Sequence, residues 1–366
     1  MTASIVRPTE LGEGELLRWA QLQETHPELG NPFLSSSFAV AVSRRFPRTR
    51  VAVFECDGFQ GFLPFEMRFP RFGSSLALGL SDAQAAIVSP EAPVTFGAML
   101  DSCGLELLLF DHLVGHQFAR LTDSPGRRNA HASPTLDLSA GYTAYVAAQR
   151  QVSKTVFSFT NRRRRQLERE VGPLQFTSHS TDHALLDKVL RWKSMQYQQT
   201  GRPDLFAAPR VYGLIHDLLD THDALGGGGA FSVLTAGDHV VAGHFGLRSS
   251  SILSYWFPAY DPMFGQYSPG MILLLEMASE CAEHGIHRFD LGKGGEPYKQ
   301  RLASTNSSVC SGYVSRGAWS SAAYSFFAVP RDMVVNFILE SPKRRRVARA
   351  GLRHLRSVTK SAYHRE

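Results

Sequence analysis

Two short stretches hold the residue types needed to move an acyl group. Gln266-Tyr-Ser-Pro-Gly-Met opens an apolar run, and Phe289-Asp-Leu-Gly-Lys-Gly-Gly-Glu-Pro-Tyr-Lys follows it. The first reads as a helix opened by Pro269 and Gly270, whose free backbone N–H groups and positive dipole end would seat a pyrophosphate. The second reads as a strand and a Gly-rich turn into another helix. It delivers the Asp290 carboxylate, the Tyr298 phenol and the Lys299 ammonium to one sheet edge. Acyl transfer from a thioester such as acyl-CoA to an amine needs little more. The amine must be neutral to attack, so a base takes its proton. The oxyanion needs donors, and the leaving thiolate gains from a nearby phenol.

Asp290 and His244 are the candidate bases. His244 lies among Val241, Phe245 and Leu247, where a strand histidine is either a satisfied core residue or a catalytic one. Asp290 stands between Phe289 and Leu291, and a carboxylate buried there is costly unless partnered, for structure or for chemistry. Arg162-Arg-Arg-Arg165 is either a cradle for a phosphate-bearing substrate or a solvated helix face balanced by Glu168 and Glu170. Trp192-Lys193 and Gln196-Tyr197 lie one helical turn apart and either line an acceptor groove or pack.

The elements that must position these residues follow a legible order. A helix over 153–171 leads into a strand over 174–177. A helix over 182–199 carries Leu185, Leu186, Val189, Leu190 and Trp192 at helical spacing, and a second spans 209–220. After a turn over 226–229, strands at 230–236 and 239–248 form a hairpin about Gly237-Asp238, and a third covers 251–257. A helix over 270–284, a strand over 288–291, a short helix over 296–303 and a strand near 309–314 close the series. The first half repeats the theme loosely, with helices near 13–24 and 36–43 and strands at 50–55, 59–69 and 107–110.

The 366 residues suffice for two domains, and a hydrophobic share of 43% supports a sizeable core. Residues 1–20 contain Glu10, Glu13 and Glu15 and no apolar signal core, and no run approaches the ~18 apolar residues of a spanning helix. A cytoplasmic protein is expected. Cys56, Cys103, Cys281 and Cys310 are scattered, which argues against a zinc site or a disulfide framework. From 341 to 366 the chain carries nine Lys/Arg and one acid, a charge of +8. The whole chain is formally +6, so the body is −2 and the basicity belongs to a tail. That tail follows the apolar, aromatic stretch 322–339, an order typical of peripheral membrane attachment.

Taken in order, Ala242-Gly-His-Phe-Gly-Leu, Tyr255-Trp-Phe-Pro-Ala-Tyr-Asp, Tyr267-Ser-Pro-Gly-Met and the segment 289–299 resemble the CelD/BioF-associated GNAT group, relatives of the Fem-type aminoacyltransferases. The likeness covers about 157–314, and Asn31-Pro-Phe-Leu-Ser and Phe110-Asp-His-Leu fit the same group. It implies an α+β protein of tandem GNAT-like domains over 1–150 and 151–318, with mixed, mostly antiparallel sheets and an amphipathic, basic helical tail over 319–366. It implies acyl-CoA as cosubstrate, no permanently bound cofactor and no metal. The donor would sit on Gln266, Tyr267, Ser268, Pro269, Gly270 and Met271, although Pro269 stands where ordinary GNAT enzymes place the first Gly. Tyr298 matches the general acid, and Lys299 would stabilise the oxyanion or hold donor phosphate. Asp290 and His244 remain the bases, with Tyr255, Trp256, Arg162 and Arg165 on the substrate.

The expected activity is acyl-CoA-dependent N-acylation of a cell-envelope amine. Each tail Lys/Arg near an anionic leaflet contributes ~1 kcal/mol, which places the enzyme on the inner membrane face through 343–365 and favours a donor or acceptor with a lipid tail. The resemblance then implies a long-chain acyl group and a sphingoid-base-like acceptor. The alternatives are N-acetylation of an amino sugar in exopolysaccharide or cellulose biosynthesis, Fem-like transfer from aminoacyl-tRNA, and an inactive scaffold of a polysaccharide synthase. The tail lacks the interleaved aromatics that stack on bases, so nucleic acid is not an expected partner.

Overall fold

A computed structural model describes residues 1–121, 126–221 and 228–317; the apolar stretch 322–339 and the basic tail lie outside them. The first half runs β1 (Thr2–Val6), α1 (Glu13–Thr25), α2 (Ser36–Arg45), β2 (Thr49–Cys56), β3 (Phe59–Phe69), β4 (Phe72–Ser75), α3 (Phe96–Cys103), β5 (Leu107–Val114) and β6 (Gly126–Asp137). Helices α4 (Tyr142–Val152) and α5 (Lys154–Glu170) connect it to the second. That half runs β7 (Leu174–Thr177), α6 (His183–Thr200), α7 (Pro209–Leu219), β8 (Gly228–Ala236), β9 (His239–Arg248), β10 (Ile252–Tyr260), α8 (Pro269–Glu283), β11 (Arg288–Asp290), α9 (Pro297–Leu302) and β12 (Thr305–Ser315).

All twelve strands form one sheet in the order β1-β2-β3-β4-β5-β12-β6-β11-β10-β9-β8-β7. The order is pseudo-symmetric. Each half contributes three antiparallel pairs and then one parallel pair, β4 with β5 and β10 with β11. The last strands are exchanged: β12 pairs with β5, β6 pairs with β11, and the two run antiparallel to each other at the centre. The fold is thus α+β with a tandem repeat, although the sequence shows no repeat.

Most elements coincide with their sequence periodicity; β1, β4, β6, α3 and α4 do not emerge from it. Strand β6 shows why. Its residues Arg-Arg-Asn-Ala-His-Ala-Ser-Pro are polar or small and carry no alternating pattern, so pairing on both edges makes the strand rather than local propensity. Gly228 and Gly229, expected in a turn, begin β8.

Helices α1, α2, α6 and α7 cover one face with a core shared by both halves, in which Phe33 and Phe38 meet Trp256 edge-on. Helices α5 and α8 cover the other face of the second half, and α3 covers that of the first. The four cysteines are free. No helix of the described residues is long and apolar enough to cross a membrane.

Past their parallel pairs the halves differ. In the first, the segment 76–94 folds back into the sheet, where Ile87 bridges Phe62 and Gln84 bridges Leu113. In the second, β10 pairs with β11 only from Ile252 to Ser254 and then continues to Tyr260 with β9 as its one partner. A shift of register against β9 falls between Ser254 and Phe257. The Trp256 N–H at this bulge donates to His244 Nε2 at 3.1 Å. The turn of the chain there demands a glycine opposite, because a Cβ on Gly246 would press into the Ser254 carbonyl oxygen and the His244 ring. Gly246→Ala is therefore expected to destabilise the protein by about 3 kcal/mol in urea unfolding. The control Gly265→Ala, whose nearest neighbour would be the Tyr260 ring at 3.5 Å, is expected to leave stability within about 1 kcal/mol.

Candidate functional site

The parting of β10 from β11 opens a cavity of about 710 Å³, within the range of small-molecule sites. Four elements wall it. The last two turns of α6 present Lys193, Gln196, Tyr197 and Thr200, spaced to fall on one helix face. Gly201 ends that helix in the left-handed region and turns Arg202 to the rim. Strand β10 supplies Tyr255, Pro258, Ala259 and Tyr260, and α9 supplies Tyr298 and its N-cap residue Glu296.

The fourth wall is the start of α8. Ser268 takes φ 54°, a strained value for a residue with a side chain, and thereby aims the first turn at the cavity. Pro269 follows at the first helical position, and Ser268 makes no side-chain capping bond. Ser268, Gly270, Met271 and Leu274 line the cavity. An anionic group placed there would meet an uncapped helix N-terminus.

Charge is concentrated beside α9. Glu296 bridges Arg202 at 3.3 Å and Lys299 at 3.5 Å, tying the end of α6 to α9. Lys193 Nζ donates to the Pro258 carbonyl at 3.0 Å, and burial, helped by Arg202 and Lys299 and opposed by Glu296, pushes its pKa down to about 8. Burial raises Tyr298 well above an ordinary phenol, with Glu296 adding to it. Burial pushes Tyr197 up to about 12. Both phenols therefore stay protonated at neutral pH and can act as donors.

Of the residues singled out in the sequence, Tyr298, Tyr255, Ser268, Gly270 and Met271 meet in this cavity. The others lie elsewhere. Gln266 is exposed, Pro269 is buried, and the Tyr267 hydroxyl donates to Glu170 at 2.9 Å. Lys299 points its ammonium under the Gly-rich turn, to the carbonyls of Gly292 at 3.2 Å and Lys293 at 3.4 Å. Asp290 is buried and accepts from Ser133 at 3.1 Å and from the Gly292 N–H at 2.9 Å. His244 is fully buried, its Nε2 engaged by Trp256, its ring stacked on Tyr255, and its pKa pushed down to about 3 by burial and then Lys193. Trp256 faces the opposite core, where its indole N–H donates to Leu80 at 2.8 Å. Arg162 and Arg165 are exposed on α5, one over the Phe159 ring and the other bonded to Asn161.

Lys193 and Tyr197, weighed in the sequence as groove or packing, stand on the cavity wall, and Arg202 at its rim had no sequence signal. The i, i+3, i+4, i+7 series 193, 196, 197, 200 was the available clue.

The first half also reaches the site. Its segment 76–94 carries Leu80, which holds Trp256, and Asp82. A Cβ on Gly292 would lie 2.8 Å from Asp82 Oδ2, so Gly292, at φ 70°, is the residue that admits this acid. Burial raises the Asp82 pKa to about 6, opposed by His112 and Lys299 and reinforced by Asp290 and Asp111. The folded state holds the proton more tightly than an ordinary carboxylate at 3.8. Protonated Asp82 therefore favours folding, and stability falls as pH rises from about 4 to 6. Asp82→Asn is expected to raise stability by about 1–2 kcal/mol at pH 7.5 and to flatten this window in urea titrations. Lower stability of the variant at pH 7.5 would mean that His112 and Lys299 hold Asp82 as a needed anion.

Residues 158–300 match the family model of the acetyltransferase (GNAT) domain. Among solved structures the chain is similar to FemX, at 12% identity over 89% of this chain and 100% of that one, TM-score 0.55. It is also similar to a conserved protein of unknown function from Bacteroides thetaiotaomicron, at 14% identity over 82% and 97%, TM-score 0.53. A third is the C-terminal domain of a putative lysylphosphatidylglycerol synthetase from Agrobacterium fabrum, at 14% over 86% and 95%, TM-score 0.52. No curated protein matches the sequence. Identities this low speak for the fold, and the family match speaks for the chemistry: the chain carries a GNAT domain over 158–300 and is an acyltransferase of that type.

Proposed function

We propose that the protein transfers an acyl group from acyl-CoA to the amine of a cell-envelope precursor, with a long-chain acyl group and a lipid amine of the sphingoid-base kind as the favoured pair. The cavity between the reach of β10 that has left β11, the uncapped start of α8 and Tyr298 carries this reading. In it the donor pyrophosphate lies at Ser268, Gly270 and Met271, and the thioester runs along the free edge of β10. The acceptor nitrogen attacks the thioester carbon, a C–N bond forms and the C–S bond breaks. Tyr298 gives its proton to the leaving sulfur.

The walls favour a lipid over a sugar. Tyr255, Tyr260, Leu274 and Met271 offer apolar surface, which an acyl chain covers and an amino sugar does not. The solved structure named for a putative lysylphosphatidylglycerol synthetase is named after a lipid product, in keeping with a lipid acceptor. The basic residues of 343–365 add attraction to an anionic membrane surface.

Calorimetric titration with palmitoyl-CoA, acetyl-CoA and free CoA tests this. Tighter binding of palmitoyl-CoA is expected. Preference for acetyl-CoA would replace the lipid with an amino-sugar acceptor, and no CoA binding would overturn the reading. With palmitoyl-CoA and a sphingoid base, Tyr298→Phe is expected to lower kcat about 100-fold, read as thiol release, while CoA affinity stays within about twofold.

A further inference from the structure

We infer that Lys193 takes the proton from the attacking amine, a role that rests on the acyl-transfer reading above. The step needs a group with a free lone pair on the cavity wall. The two acids and bases singled out in the sequence, Asp290 and His244, do not line the cavity, and their hydrogen bonds engage them inside the fold.

Among the described lining residues the choice then narrows quickly. Gln196, Gln199, Thr200 and Ser268 are not bases at neutral pH, Arg202 keeps its proton, Tyr260 is a phenol, and Tyr197, Tyr255 and Tyr298 are phenols raised by burial. Glu296 is the rival. Its carboxylate lies between Arg202 and Lys299, and its pKa is lowered by Lys299 and Arg202 against the opposing effect of burial. A carboxylate so paired is a poor proton acceptor.

Lys193 has the opposite setting. One N–H is spent on the Pro258 carbonyl, on the part of β10 that has left β11. That tether fixes Nζ over the opened edge and leaves its lone pair free when neutral. Arg202 from the end of α6, Lys299 from α9 and burial all favour the neutral amine; Glu296 opposes them, and His244 on β9 and the Tyr197 ring, 5.4 Å away, complete the surroundings. A lysine titrating near 8 is partly neutral at physiological pH and is matched to the ammonium of the tetrahedral adduct.

The step balances without any further reactant. The nitrogen lone pair forms the C–N bond, and the N–H proton moves to Nζ. The C–S bond breaks and sulfur takes the Tyr298 proton. Solvent then reprotonates Tyr298 and removes the extra proton from Lys193, leaving amide and thiol.

Two measurements test this on the full chain. Trace labelling with acetic anhydride across pH 6–11, read by peptide mass spectrometry, is expected to give Lys193 a midpoint near 8; a midpoint at the ordinary lysine value would overturn the assignment. The second compares Lys193→Met with the wild type, using palmitoyl-CoA and either a sphingoid base or hydroxylamine, which is already neutral at pH 7. The variant is expected to lose about 100-fold in kcat/KM with the sphingoid base and little with hydroxylamine. With the neutral fraction of the free amine divided out, wild-type kcat/KM should rise through pH 8, and Lys193→Arg, which keeps the charge, should lack that rise. Equal losses with both acceptors would reduce Lys193 to a packing role, and a larger selective loss in Glu296→Gln would move the proton to Glu296. If the wild type binds no CoA, the acyl-transfer reading falls and takes this role with it; if it binds CoA and Lys193→Met transfers normally, only the role falls.

Discussion

Ile252, Leu253 and Ser254 pair with Arg288, Phe289 and Asp290, and beyond these three the parallel strands part. The site depends on that brevity. If β11 continued alongside β10, its backbone would fill the space that the cavity occupies, and neither α8 nor α9 would face the free edge. The bulge at Ser254–Phe257 assists by bending β10 at the parting point, and His244 secures the bulge through the Trp256 N–H. A buried histidine here fixes the geometry of the strand that walls the cavity.

The repeat shows what happens when the same opening is closed. In the first half the segment 76–94 lays its backbone beside β3 and β5, and a fold with two equivalent wedges keeps one cavity of this kind among the described residues. The filled wedge is nonetheless useful, since the closing segment sends Leu80 to Trp256 and Asp82 to Gly292. One half supplies the opening and the other braces it from behind.

Much of the second half was legible because its signals are local. Helical spacing of Leu185, Leu186, Val189 and Leu190 and the Gly237-Asp238 turn require no knowledge of distant partners. The helix start at Ser268–Met271 and the phenol Tyr298 were legible for the same reason. What the sequence hid is long-range. Asp290 stands between two apolar neighbours in the sequence, and its partner Ser133 comes from the exchanged strand β6. Lys193 reads as either groove or packing until β10 and α9 bring Pro258 and Glu296 beside it. Strand β6 itself has no pattern to read, since its partners come from the far end of the chain.

The exchanged strands also govern how the molecule can be made. During synthesis β5 and β6 emerge early, yet the place between them belongs to β12, which follows some 170 residues after β6. Until β12 arrives, the first half carries two unpaired strand edges at what will become the centre of the sheet, the kind of edge that recruits other chains. Completion therefore waits on a contact of very large sequence separation, which slows folding and lengthens exposure. The ribosome must release nearly the whole described chain before the centre of the sheet can close, so those edges stay open through most of synthesis.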